Sequence, residues 1–376
     1  MDFSLSEEQV ELQKLARQIL VDQTSNEHLR EVEKGDERYD EKLWSDLAQA
    51  GLLGLAIDEA NGGMELGYES LCLLIEQVGA TVAPVPAIPT LVSSALPIQH
   101  FGTAEQKQRF LPGVASGTTI LSAGLIEPMN EDATAPVSTA EADGSAWLLS
   151  GTKSCVPYAN RAERILVAAQ TDNGVGVFLL DPKASGVTLN LQTSTTGEPQ
   201  YEVVMANANV AEEDVLAKGD TGLHVIDWVA RHTSVAICAM ATGVAERMTR
   251  MTAEYTAERE QFGVKIATFQ AVGQRAANCY IDTECLRLVS QQAVSLLNGG
   301  HEARDEITIA KIWVGDVCHR VSHAAQHLHG GIGTDRDYPL FRYCLWAKQL
   351  EMAMGPSAQL TAKLGAGIAR EFVDAA

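Results

Sequence analysis

The sequence predicts an α+β multidomain chain. A helical N-terminal domain spans 1–118, a small antiparallel β-barrel or sandwich spans 119–215, and a C-terminal four-helix bundle spans 216–376. Three observations predict it. Apolar residues recur at helical spacing before position 118 and again after 220. Between those stretches lie short runs rich in Val, Leu, Ile and Thr, separated by turn residues. The runs lack the helix-sized crossovers that a parallel sheet requires. A chain of 376 residues has room for such an arrangement at ~150 residues per domain. Its 46% hydrophobic and 20% charged content excludes disorder as the overall state.

The elements follow in order. Ser6 with Gln9 forms a capping box, and Leu12, Leu15, Ala16, Ile19 and Leu20 continue it at helical spacing. A second helix runs near Glu41 to Ala50 and stops at Gly51. Leu52 to Ile57 is a short apolar segment before a turn at Asp58 to Gly63. Further helices cover Tyr68 to Gly79, Leu91 to Phe101 after a proline-rich link, and the segment opened by Thr103 and Gln106. Strands are predicted over Thr119–Ile126, Ala146–Cys155, Arg164–Gln170, Val175–Asp181, Val187–Gln192 and Tyr201–Val210. Thr221 to Arg259 then reads as one helix of roughly 55–60 Å at about 1.5 Å per residue. Its middle, Val235 to Val244, is small and apolar on nearly every face, as in a helix buried on all sides. Helices over Phe269–Leu297, Glu302–His329 and Ala358–Phe372 complete the bundle.

The net charge of −21 opposes diffuse binding to nucleic acid or an anionic membrane. It leaves room for an anionic small ligand, because local Arg side chains and free backbone amides act at short range. No long charge-free apolar run predicts a membrane span. The acidic start, from Met1 to Glu8, lacks the order of a signal peptide. Seven cysteines without a CxxC pair predict no zinc or other metal site, no disulfide framework and a cytoplasmic location.

Two glycine-containing breaks between helices stand out. One runs from Arg259 through Phe262-Gly263 to Phe269-Gln270. The other is His329-Gly330-Gly331-Ile332-Gly333-Thr334, with Tyr338-Pro339 beyond. An Arg beside a tight turn can pair with a diphosphate, and paired glycines allow a close backbone approach. Plain helix-ending turns would use the same residues.

Taken together the two breaks resemble the signature of the acyl-CoA dehydrogenase family. Phe3-Ser4-Leu5-Ser6-Glu7-Glu8-Gln9, Asp58-Glu59-Ala60-Asn61-Gly62-Gly63-Met64 and Gly102-Thr103-Ala104-Glu105-Gln106-Lys107 also resemble family segments, in the family's order. The resemblance implies FAD as cofactor, an acyl-CoA substrate and an electron-transferring flavoprotein as acceptor. Arg259, Phe262, Phe269 and Gln270 would line the adenosine diphosphate half from one subunit. Gly330, Gly331 and Gly333 would accept the diphosphate from a neighbour. His327 stands where the family usually has glutamine, with Gln326 one position earlier. Leu125, Ile126 and Glu127 align with the flavin-contacting strand. In the implied reaction a carboxylate removes the α-proton of the thioester and the β-hydride leaves for the flavin.

The chain departs from the family pattern at the reaction centre. The usual seats of the base are Met354 and Thr233, and neither side chain takes up a proton. Glu351 is the remaining candidate, and His232 and Asp227 lie near the second seat. The flavin-ring loop reads Ile126-Glu127-Pro128-Met129-Asn130-Glu131-Asp132-Ala133, without the family's threonine and Gly-Ser. Cys155-Val156-Pro157-Tyr158 replaces a segment that would meet the flavin ring, and Pro157 has no amide to donate. Leu345-Trp346 stands in place of an Arg-Asp pair. A homotetramer is the family default. The chain also resembles the base-lacking subunit of heterotetrameric, steroid-type members, in His329 to Gly333 and in Tyr343 to Gln349. A scaffold without flavin and a flavin monooxygenase are the other readings.

Overall fold

The computed structural model describes residues 3–35 and 37–374. Met1 and Asp2, part of the acidic start noted above, lie outside the described residues. The first helices are α1 (Glu7–Gln23), α2 (Asn26–Lys34), α3 (Glu41–Gln49), α4 (Gly67–Thr81), α5 (Leu96–Phe101) and α6 (Ala104–Ala115). Strands β1 (Leu121–Gly124), β2 (Thr139–Asp143), β3 (Ala146–Pro157), β4 (Arg164–Thr171), β5 (Gly174–Leu180), β6 (Val187–Thr193), β7 (Pro199–Ala211) and β8 (Val215–Ala217) follow. Helix α7 (Gly219–Glu258) leads into a small hairpin, β9 (Glu260–Gln261) with β10 (Val264–Lys265). Helices α8 (Gln270–Asn298), α9 (Arg304–His329), α10 (Leu340–Met352) and α11 (Ser357–Asp374) complete the chain. The order of helices, strands and helices is the one the periodicity predicts. The expected capping box forms at Ser6 with Gln9, and a second, at Thr103 with Gln106, opens α6.

The chain divides into two compact units. One comprises Arg30–Leu71 and Pro84–Thr233; the other comprises Met1–Leu29, Cys72–Ala83 and Ser234–Ala376. The first of these is built on an eight-stranded sheet of order β6-β7-β3-β2-β4-β5-β8, with β1 added on β4. Its core gathers Leu149, Val156, Ile165, Val167, Phe178, Leu180 and Val203, all fully buried. The sheet is mostly antiparallel, as expected, but β1 runs parallel to β4 and β2 touches β4 in parallel. The β2–β3 hairpin supplies the connection that this parallel pairing needs. Strands β2 and β8 are not marked in the sequence. Only Ala140 of the five β2 residues is buried, so no alternation marks it, and β8 has three residues.

A second difference lies ahead of the sheet. The proline-rich link and the first half of the helix expected at Leu91 form a π-helical segment, Ala87–Ala95. Its buried hydroxyls hold it to β1: Thr90 Oγ1 donates to Leu121 O at 2.8 Å, and Ser94 Oγ to Ser122 O at 2.6 Å.

In the other unit, α9 packs against α8, α10 and α11. The expected four-helix bundle therefore gains a fifth long helix, α10. Its buried face mixes Leu340, Ala347 and Leu350 with Arg342, Tyr343, Cys344 and Trp346, so charged and aromatic side chains interrupt the aliphatic period. Helix α2 is likewise unmarked in the sequence, with Leu29 its one buried residue. Helices α4 and α7 meet backbone to backbone. A Cβ on Gly79 would lie 2.1 Å from Met240 O, and one on Gly243 would lie 2.0 Å from Glu76 O. Gly243→Ala is therefore expected to destabilise by on the order of 3 kcal/mol, because backbone cannot yield as a side chain does. A lower urea midpoint at unchanged slope is the measurement; an unchanged midpoint would contradict this packing.

Candidate functional site

Helix α7 ends at Glu258, and Arg259 turns the chain into the β9–β10 hairpin, its amide donating to Tyr255 O at 2.9 Å. The exposed Arg259 side chain has no partner among the described residues. Phe262 sits at the hairpin tip with φ +56° and is 93% exposed. A left-handed backbone under a bulky residue is strained, and a bare phenyl ring has nothing of its own to cover. Its ring meets Phe269 edge-on at 6.2 Å. Phe269 caps α8, and Gln270, exposed, is the first residue of that helix. The four residues named for the adenosine diphosphate half are thus together on one exposed projection.

The second glycine break lies in the same unit, a short 3-10 helix at Gly330–Thr334 that ends α9. The three glycines differ. Gly330 has φ +65° and its amide is already used, donating to His327 O. Gly331 has open space where a Cβ would be. Gly333 is packed, and a Cβ there would lie 2.9 Å from Gln326 O and 3.1 Å from His329 Cβ. A Cβ at Gly330 would also meet open space, so both leave their backbone uncovered on that side; Gly330 supplies the turn, and Gly333 lets the turn close on α9. His327 is exposed beside them.

Sequence reasoning places His329 within a motif and gives it no role. The structure buries it, with 3% exposed. Its Nδ1 lies 2.8 Å from Ala325 O and its Nε2 lies 3.1 Å from the Tyr338 hydroxyl. The ring stacks on Tyr255, with centroids 4.5 Å apart and planes 20° apart. Burial holds the imidazole below its ordinary pKa, although the Ala325 carbonyl opposes the shift. Tyr255, one turn before Arg259, thereby joins the two glycine-containing breaks within one chain.

The sheet unit holds the other predicted residues. Leu125 is buried, and Ile126 pairs in a single bridge with Ser154, whose amide donates to Ile126 O at 2.8 Å. Glu127 follows, aimed inward. Lys153 Nζ lies 2.7 Å from Glu127 Oε1 and 2.7 Å from Ala168 O. The amides of Val137 and Ser138 donate to the same carboxylate, at 2.5 and 2.9 Å, and Asn130 Nδ2 donates at 3.0 Å. Burial alone would raise the carboxyl pKa; the bonds from Lys153, Ser138 and Val137 overcome it and hold it at about 2. One carboxylate thus fastens both ends of the 127–138 loop. Beyond Lys153, Cys155 and Tyr158 both have positive φ, +54° and +51°, and Pro157 O accepts from Ser122 Oγ. The segment from Cys155 to Tyr158 is thus locally strained.

Neither of the two positions expected for the base carries an acid. Thr233 is buried and its hydroxyl lies 2.9 Å from Ser93 Oγ. Met354 has φ +56° in the turn between α10 and α11. Buried Lys311 holds that turn, its Nζ 3.1 Å from both Glu351 O and Gly355 O. The Glu351 carboxylate pairs with Lys348 Nζ at 2.5 Å, and Asp227 pairs with Arg231 at 2.9 Å. His232 stacks on Trp228 at 3.6 Å, its Nδ1 2.8 Å from Trp228 O, and burial pushes its pKa down to about 4. Each nearby alternative is thus paired or packed. Among the described residues, no group of three or more His, Cys, Asp or Glu is placed to hold a metal, and no helix is long and apolar enough to cross a membrane. All seven cysteines are free.

Comparison with known proteins matches two family patterns. "Acyl-CoA dehydrogenase, N-terminal domain" matches residues 6–118, and "Acyl-CoA dehydrogenase, C-terminal domain" matches residues 220–369. Acyl-CoA dehydrogenase FadE27 of Mycobacterium tuberculosis is 34% identical over 377 residues, spanning 98% of this chain and 99% of that protein. A solved chain from a variant of the Tcur3481-Tcur3483 steroid ACAD is 40% identical with a TM-score of 0.92, covering 98% of this chain and all of its own length (100%). One from the ChsE4-ChsE5 complex of Mycobacterium tuberculosis is 33% identical with a TM-score of 0.93, covering 98% and 99%. With both end domains matched and relatives aligned along nearly the whole length, this chain belongs to the acyl-CoA dehydrogenase family of oxidoreductases.

Proposed function

We propose that this chain takes part in FAD-dependent α,β-desaturation of an acyl-CoA thioester, with an electron-transferring flavoprotein as acceptor. The observation that carries the cofactor is the Arg259 guanidinium, without a partner among the described residues, beside exposed Phe262, together with the open space where a Cβ of Gly331 would be. These groups fit a diphosphate and its adenosine. A guanidinium supplies paired donors to phosphate oxygens, a phenyl face covers the nucleoside, and a bare glycine admits close backbone contact. Bound FAD would supply the hydride acceptor. Leu125, Ile126 and Glu127 set the backbone of the ring-side loop, and the Lys153 pair keeps that loop in place. Phe269, Gln270 and His327 border the nucleotide end. Seven free cysteines support a reducing cytoplasm.

A specific observation favours a second reading of how the reaction is shared. Met354 and Thr233 cannot accept a proton, and Glu351 and Asp227 are both held in ion pairs. The carboxylate that removes the α-proton then comes from a homologous subunit, and this chain contributes the nucleotide cradle. Two of the similar structures are named for pairs of proteins, Tcur3481-Tcur3483 and ChsE4-ChsE5. The exposed apolar groups Phe262, Val264, Phe269, Tyr280, Ile281 and Leu288 support burial of this stretch against another subunit.

The visible spectrum of the purified chain tests both readings. Yellow protein that bleaches with an acyl-CoA and an acceptor supports a self-sufficient enzyme. A colourless chain that gains flavin on co-expression with a homologue supports shared sites. Absence of flavin in both preparations rules out the cofactor. Arg259→Ala is expected to weaken FAD retention by about tenfold or more, the loss of a charge-assisted contact. Unchanged flavin content in that variant removes Arg259 from the site.

A further inference from the structure

We infer that His329 is a positioning residue for the nucleotide cradle: it locks the Gly330–Thr334 turn to α7 one turn ahead of Arg259. The inference rests on the flavin reading above and concerns a residue to which that reading gives no role. A carbonyl oxygen only accepts, so the 2.8 Å contact with Ala325 O places the ring proton on Nδ1. Nε2 then holds a lone pair and accepts from the Tyr338 hydroxyl at 3.1 Å. Tyr338 lies beyond the turn, so this bond closes the loop from 329 to 338 across its mouth. The ring face rests on Tyr255, whose carbonyl takes the Arg259 amide. One buried imidazole thus fixes three things: the end of α9, the far side of the turn, and the last full turn of α7.

The turn needs such a lock. Hydrogen bonds within it are Gly330 N to His327 O, Thr334 Oγ1 to Gly331 O at 3.0 Å, and Asp335 N to Ile332 O at 3.1 Å; Gly333 packs on α9, and Asn26 Nδ2 donates to Asp337 O at 3.0 Å beyond it. Gly330 and Gly331 carry no side chain that could anchor the turn, and a Cβ at either would meet open space. Amides that must meet an anion bind more tightly when already ordered, because the ordering entropy is then spent in folding rather than in binding. An aliphatic side chain at 329 would fill the space but make neither hydrogen bond.

The test uses the full-length chain, alone and co-expressed with a homologous subunit, and reads two quantities. One is the FAD dissociation constant from flavin fluorescence. The other is amide hydrogen exchange over 330–338 in protein stripped of flavin. Tyr338→Phe removes one hydroxyl and is expected to weaken FAD about fivefold to tenfold, the worth of one hydrogen bond. His329→Leu is expected to weaken it more and to speed exchange in the turn at least tenfold, with exchange in the β-sheet unchanged. His329→Gln, whose amide oxygen can still accept from Tyr338, falls between wild type and His329→Leu. Adding Tyr338→Phe to His329→Leu costs nothing further, since their bond is already gone. FAD affinity and turn exchange within twofold of wild type in both single variants overturn the inference, as do losses that multiply in the double variant. If His329→Leu fails to fold, Tyr338→Phe and His329→Gln decide the matter by the same readouts. A wild-type chain that takes no FAD in either preparation overturns the flavin reading and the cradle role with it. A wild type that binds FAD beside variants that bind equally well overturns the His329 role alone.

Discussion

Lys153→Met is expected to destabilise the sheet unit by about 3–5 kcal/mol, the range for removing one partner of a buried ion pair. Lys153 is 2% exposed and Glu127 4%. Methionine matches the lysine stem in length and fills its channel, so the loss is electrostatic rather than a cavity. What remains is a carboxylate that still accepts from two amides and Asn130 but has lost its counter-charge. The sign with pH follows. The native Glu127 pKa, about 2, lies below the ordinary carboxylate value. Its contribution is therefore complete above the unfolded pKa and is lost as pH falls through about 2. In Lys153→Met the buried carboxyl titrates higher, so acid should narrow the gap between variant and wild type. Urea midpoints at pH 7 and pH 4 measure both effects. A gap that is absent at pH 7, or that widens at pH 4, would show that the pair contributes nothing of this kind. Glu127→Gln with Lys153→Met should recover part of the loss, because it removes the orphaned charge.

Much of the architecture is legible in sequence because its elements carry clean periods. Helix α7 is placed within two residues at each end, since forty residues of helical pattern outweigh uncertainty at the caps. Elements whose buried face is short or chemically mixed are not legible. Strand β2 buries one alanine, α2 one leucine, and α10 mixes buried Arg342, Tyr343, Cys344 and Trp346 with Leu340, Ala347 and Leu350. The π-helical segment gives no signal at all, because its stability comes from hydroxyls of Thr90 and Ser94 bonded to a strand some thirty residues away. The candidate site divides in the same manner. Arg259, Phe262 and the glycines declare themselves by residue type beside a turn. His329 and Lys153 act through partners distant in sequence, Tyr255 and Glu127, and a single chain of letters shows no such pairing.

The isolated chain, given FAD and an acyl-CoA, is expected to leave the α-proton in place. A positioned base contributes typically 10²–10⁴-fold, and Glu351, Asp227, His232 and Lys311, close in sequence or in contact with the segments of the two seats, are each already engaged. Glu351 is held by Lys348, and its backbone carbonyl by Lys311. Asp227 is held by Arg231. His232, with a pKa of about 4, is too weak a base for a carbon acid and lies in an aromatic stack. Lys311 is a buried donor already engaged by two carbonyls. Exchange of the α-hydrogen in deuterated water, followed by proton NMR on a saturated acyl-CoA, isolates this step from hydride transfer. The chain alone should exchange no faster than buffer, whereas an assembly with a homologue that carries the carboxylate should exchange at least about a hundredfold faster. Glu351→Gln should leave the assembly's rate unaltered. Rapid exchange by the chain alone that disappears in Glu351→Gln would identify Glu351 as the base. It would require the turn around Met354 to rearrange, freeing the Lys348 pair and the Lys311 contacts that now hold it.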